Sequence, residues 1–165
     1  MSNVAPILGI PLFAWYPILA IGFFALMVIL VPRKRIRDLF LDGLIMGAFL
    51  SWLFALLAQG MRLIRWEHLG PFSFVNCPVW LHLAWASVII IFIYFKPQLE
   101  QPTTLWGYIL AFSWLSAMFD FVLHQLGLLT YLHWSPWVRF CLAIIWFWSA
   151  IWFNTHFVQD RRVHN

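Results

Sequence analysis

The chain has 165 residues, of which 64% are hydrophobic and only 10% charged, with a net charge of +4. One domain is the expectation from that length, and a water-soluble fold has no room to hide so much apolar surface. The basic residues cluster at the ends of apolar stretches rather than in a run interleaved with exposed aromatics, so topology and lipid headgroups explain them and nucleic acid is excluded as a partner.

A spanning helix needs about 20 apolar residues. Five stretches qualify, at about 7–31, 39–60, 78–95, 104–130 and 136–157. The predicted fold class is an all-α integral membrane protein, a single domain over 1–165 built as a five-transmembrane-helix bundle. The first stretch carries Pro11 and Pro17 near its start and is too long for a signal-peptide core, so it reads as a membrane helix closed by Pro32-Arg33-Lys34-Arg35. Lys and Arg bias sets the orientation. Arg33, Lys34, Arg35, Arg37, Lys96, Arg161 and Arg162 fall on one side, against Arg62, Arg65 and Arg139 on the other. The N-terminus is therefore expected outside and the C-terminus in the cytoplasm. The bilayer is the first expected partner.

The second stretch opens on Asp38 and Asp42, carboxylates that suit a helix N-terminus. Gly43, Gly47, Ser51 and Ala55 then recur every four residues as a stripe of small side chains. Such a stripe lets two membrane helices approach closely. Packing inside the bundle is its first reading, and contact with a second copy or another membrane subunit is the other. The segment 61–77 is the longest loop, turning at Gly70-Pro71, and a tight hairpin follows at 127–136. Trp15, Trp66, Trp134 and Trp137 fit an interfacial belt, while Trp114, Trp146 and Trp148 lie deep. No loop is long enough for a soluble catalytic domain.

The fourth stretch carries the chemistry. Ser113, Ser116, Asp120, His124 and Gly127 are spaced by three or four and share one helical face. An acid at a helix centre costs roughly 2.5–3.5 kcal/mol on insertion scales, so this face must turn inward. Asp120 lies about ten residues before the end of its stretch, near mid-depth at roughly 1.5 Å per residue. His82, Arg139 and Glu67 gather at the same outer half, with Arg139 long enough to reach Asp120 or Glu67. The expected ligand or proton site is a recess floored by Asp120 and open to the extracytoplasmic side, with His124, His82, Arg139, Glu67 and Ser116 around it. A purely structural pairing of Asp120 with Arg139 is the competing reading. His82 and His124 share a depth, as haem ligands would, but Leu81, Leu83, Leu123 and Gln125 crowd them, so no haem and no other cofactor is predicted. No zinc spacing exists, no metal is expected, and Cys77 and Cys141 read as free thiols.

The run FDFVLHQLGLLTYLHW, from Phe119 to Trp134, resembles a family of small multi-pass membrane proteins of spore-forming, low-GC Gram-positive bacteria. The resemblance rests on an acid seven residues before a glycine, then an aromatic and a tryptophan, here Asp120, Gly127, Tyr131 and Trp134. The family usually has Glu where this chain has Asp120. The resemblance implies a bacterial cytoplasmic-membrane location and a five-helix form, and it carries no activity.

No nucleophile elbow, HExxH or phosphate loop occurs, which turns the reading away from an enzyme. The expectation is a non-enzymatic accessory subunit, sensor or small carrier in which Asp120 and His124 form a proton- or ligand-responsive pair. The alternatives are a membrane enzyme or redox subunit acting on a quinone or isoprenoid lipid, and an oligomeric channel or transporter.

Overall fold

The computed structural model of the protein describes residues 9–71, 73–97 and 102–158. It is mostly helical. A 3-10 turn, Leu12–Ala14, leads into α1 (Trp15–Leu30), and a short basic helix α2 (Arg33–Asp38) follows. Next, α3 (Phe40–Asp42), a π-helical stretch (Gly43–Phe49) and α4 (Leu50–Gly60) run on as one rod. Then come α5 (Val79–Tyr94), α6 (Pro102–Gln125) and α7 (Pro136–Phe153), the last extended by a π turn, Asn154–Val158. Among the described residues, four helices are long and apolar enough to cross a membrane: Leu12–Leu30, Phe40–Gly60, Pro102–Gln125 and Pro136–Phe157. The third expected span is the shorter α5, with 16 residues. Arg161, Arg162 and residues 98–101 lie outside the described residues.

α5 is the axis of the bundle. Its residues Leu81, His82, Ala84, Ser87 and the run 89–93 are buried, and it packs against α1, the π stretch, α4 and α7. A helix apolar all round belongs in the middle of a bundle. The small-residue stripe is what admits it so close. A Cβ on Gly47 would stand 2.5 Å from Ala86 Cα, and one on Gly43 would stand 2.8 Å from Ile90 Cδ1. Ser51 and Ala55 continue the same contact: Ser51 bonds to His82 of α5, and Ala55 is buried. The stripe therefore serves packing within the chain.

Hydrogen bonds tie the two ends of α5 to opposite ends of the bundle. At its start, Cys77 Sγ accepts from Gln59 Nε2 at 2.8 Å, near the end of α4. Beyond its end, Lys96 Nζ donates to Asn154 Oδ1 at 3.2 Å, and Asn154 Nδ2 donates to Asp42 Oδ2 at 3.1 Å.

Short strands cap one end, where only loops were expected. β1 (Ile64–Trp66) pairs antiparallel with β4 (Leu129–Tyr131), and β2 (Ser73–Phe74) pairs with β3 (Cys77–Pro78). α4 and α6 enter this cap in the same way. Leu63 N bonds to Ala58 O and Arg62 N to Gln59 O, both at 2.9 Å. Leu128 N bonds to Leu123 O at 2.9 Å and Gly127 N to His124 O at 3.0 Å. Both are Schellman endings, which place one residue at positive φ, here Arg62 (54°) and Gly127 (72°). That is why α6 stops at Gln125, short of the expected 130. Tyr16 fastens α1 to the cap, its single hydroxyl proton shared between the carbonyls of Glu67 (2.7 Å) and Leu128 (2.8 Å).

Candidate functional site

Asp120, on the last third of α6, meets Arg139, one turn into α7. Arg139 Nε lies 2.9 Å from Asp120 Oδ2, and both side chains are mostly buried. Ser135 begins the turn that aims Arg139, its Oγ accepting from Val138 N at 3.3 Å ahead of Pro136 at the first helical position. The guanidinium carbon also sits 5.3 Å from the centre of the Trp85 ring, a cation–π distance. The ion pair thus bridges two helices and leans on a third.

Around the pair lies a chamber of about 50 Å³, walled by α4, α5, α6 and α7 and roofed by Ile64, Trp66 and Trp134 of the cap. His82, Ser116, Trp66 and Trp134 are among its lining residues, and their His82 Nε2, Ser116 Oγ, Trp66 Nε1 and Trp134 Nε1 atoms are buried with no hydrogen-bond partner among the described residues. Each of those residues is at most 9% exposed. Leaving a buried donor or acceptor unpaired costs about 1–3 kcal/mol, and four of the buried unpaired atoms belong to residues that line this one space.

The tautomer of His82 follows from its neighbour. Ser51 Oγ lies 3.1 Å from Ala48 O and 3.0 Å from His82 Nδ1, and which of the two takes its one proton sets the ring's tautomer. Neutral His82 has an acceptor lone pair at Nε2 when Nδ1 carries the proton, and a donor there in the other tautomer. The indole N–H groups of Trp66 and Trp134 are donors, and Ser116 serves either way.

The expected site residues divide into two groups. Asp120, Arg139, His82 and Ser116 line the chamber together, and so does Ser51. His124 and Glu67 belong to the cap. His124 Nδ1 donates to Leu129 O at 2.8 Å, and its ring stacks on Tyr131 at 4.2 Å between centroids. Glu67 Oε1 accepts from Arg65 Nε at 2.6 Å and from Thr130 Oγ1 at 3.0 Å. Glu67 joins the end of β1 to β4, and His124 holds β4 to the end of α6. Tyr131 is pushed up to about 12 by burial and then by the Asp120 carboxylate, with Arg139 opposing, so its phenol stays neutral. Cys77, buried behind the cap, is pushed up to about 11 by burial, with the Gln59 bond opposing. Both thiols are free.

Two chamber residues were read from sequence as interfacial. Trp66 and Trp134 turn inward, whereas Trp137 is exposed as an interfacial residue would be. The available signal was Ile64-Arg65-Trp66, apolar–polar–apolar, which is strand alternation with Trp66 on the inner face. At the opposite end, the fully buried Asp42 joins Asn154 and Lys96 in a polar chain that sequence reasoning did not assemble. Burial pulls the Lys96 ammonium down, and the Asp42 carboxylate pushes it back. Among the described residues, no group of three or more His, Cys, Asp or Glu is placed to hold a metal ion. Comparison with known proteins gives no matching family model, no matching curated protein and no matching solved structure.

Proposed function

We propose that this chain is a five-span protein of a bacterial cytoplasmic membrane, with its N-terminus outside, that holds a small molecule or a proton at the Asp120–Arg139 pair. It acts as a sensor, accessory subunit or small carrier rather than as an enzyme. The observation that carries this reading is the set of four unpartnered buried polar atoms around one ion pair. The fifth span is supported by the opposite anchoring of the two ends of α5. Orientation is supported by exposed Arg33, Lys34, Arg35 and Arg37 near the Asp42 end, against Arg62 and Arg65 at the cap. Within the pair, His124 gives up its expected role to His82, since His124 is occupied by the cap. The small-residue stripe offers no support to an oligomeric channel, because α5 covers it.

The test is untargeted mass spectrometry of the protein extracted in native membrane patches, comparing the natural chain with His82→Phe/Ser116→Leu. The reading expects at least one small molecule enriched with the natural chain and depleted with the variant, with both chains folded. Identical molecular inventories, together with an Asp120 carboxylate infrared band unchanged between pH 5 and pH 9, contradict it.

A further inference from the structure

A second chamber adjoins the first. It measures about 230 Å³, lies among α1, α5, α6 and α7, and is walled almost wholly by apolar atoms. The two share Leu81, Trp85, Ser116 and Phe147 as a common partition. A small polar space thus lies against a larger apolar one, inside a bundle of membrane-spanning length.

The contents of each chamber restrict what fits. In the polar one, Asp120 and Arg139 already cancel each other at 2.9 Å. A phosphate or ammonium would bring an uncompensated buried charge, which is strongly disfavoured. A neutral head is therefore selected. About 50 Å³ admits only a few water-sized groups, at roughly 10–15 Å³ each. That excludes a phosphodiester headgroup and leaves a carbonyl or hydroxyl. Residues with donor groups (Arg139, Trp66, Trp134) and with an acceptor carboxylate (Asp120) line the space, so its chemistry suits an oxygen in either its carbonyl or its hydroxyl form.

The apolar chamber selects a ring. Phe23, Trp85, Phe112, Phe119 and Phe147 all line it. Aromatic walls favour a planar partner beyond what area burial alone supplies. A cavity of roughly 150 Å³ accepts a benzene ring, so about 230 Å³ admits a larger ring or a ring with its first branch. Exposed Leu26 and Leu115 stand at its margin, where a tail can leave toward the acyl chains.

We infer that the ligand is a quinone-type lipid: a neutral oxygenated ring seated in the apolar chamber, one ring oxygen passing Ser116 into the polar chamber, and an isoprenoid tail leaving between α1 and α6. This rests on the reading of the Asp120–Arg139 chamber as a binding site and names the class of molecule it takes. It is a binding proposal and involves no electron transfer.

The test is a titration of the purified full chain in nanodiscs with menaquinone-4, followed by quenching of tryptophan fluorescence. Geranylgeraniol (tail with one hydroxyl) and menadione (ring without tail) are the competing probes. The expected result is saturable quenching, weakened at least tenfold by His82→Phe and by Ala84→Leu, with each competitor at least tenfold weaker than menaquinone-4. Leu115→Trp, at the exposed margin, replaces Ala84→Leu if the latter does not fold. Quenching that rises linearly with membrane quinone and ignores both variants overturns the proposal. Geranylgeraniol competing as well as menaquinone-4 also overturns it, because the ring is then not recognised. A charged molecule found enriched by the mass-spectrometric comparison overturns the quinone assignment while leaving the site intact. An unchanged molecular inventory with an unresponsive carboxylate removes the site itself.

Discussion

Arg139 Nε stands 2.9 Å from Asp120 Oδ2, and through that contact α7 is locked to α6 directly beneath the strand cap. Taking two charges out of water gains little net stability, but removing one partner strands the other. Arg139→Met and Asp120→Leu are each expected to destabilise the folded protein by about 3 kcal/mol. The double change Asp120→Leu/Arg139→Met restores most of that. Thermal unfolding of the three variants in one detergent checks this, and additive losses in the double variant count against a buried, mutually dependent pair.

Gly47 is the tightest point between the second rod and α5. A methyl there meets Ala86 Cα at 2.5 Å and Ala86 N at 2.7 Å, which are backbone atoms and cannot swing aside. Gly47→Ala is expected to cost about 1–3 kcal/mol. Gly22→Ala, in α1 with nothing within 4 Å of the added carbon, gains slightly from helix propensity. Equal melting temperatures for the two variants contradict close packing at the stripe.

The two Schellman endings make opposite predictions from one geometry. Gly127 holds φ at 72° with open space around it, so Gly127→Ala costs about 1 kcal/mol through backbone conformation alone. Arg62 holds φ at 54° with a side chain that disfavours it, so Arg62→Gly gains a similar amount. Denaturation midpoints of the pair should move in opposite directions.

Much of this arrangement was legible because it is local. The helical face through Ser113, Ser116 and Asp120 needs only a period of 3.6, and all three turn inward. The small-residue stripe is read by the same rule. The cap was not legible, since β1 and β4 are three residues each and pair across more than 60 positions, with Ile64 opposite Tyr131. Helical periodicity says nothing about such a pairing. It decides the site nevertheless, because it turns Trp66 and Trp134 inward and occupies His124. The link from Asp42 to Asn154 was hidden for the same reason, 112 positions apart.

Cys77 offers a pH-dependent readout of the cap. Only the thiolate reacts with maleimides, and burial pushes this thiol up to about 11. In the folded protein of a Cys141→Ala variant, labelling is expected to be very slow at pH 8 and to rise about tenfold per pH unit toward 11. The sign for stability follows from a raised value. The contribution of keeping Cys77 neutral is complete below its ordinary value of 9.0 and is lost as the pH climbs through about 11. Rapid labelling at pH 8 without unfolding contradicts a closed cap.

The central claim is that an ion pair within the membrane floors a chamber whose walls wait for polar atoms. A high-resolution electron cryo-microscopy map of the protein in lipid nanodiscs tests it most directly. The expected result is density at about 2.7–3.2 Å from His82 Nε2 and Trp134 Nε1, beside an intact Asp120–Arg139 contact. Tryptophan and histidine side chains closed upon each other without intervening density, or Asp120 turned out toward acyl chains, is the result that contradicts it.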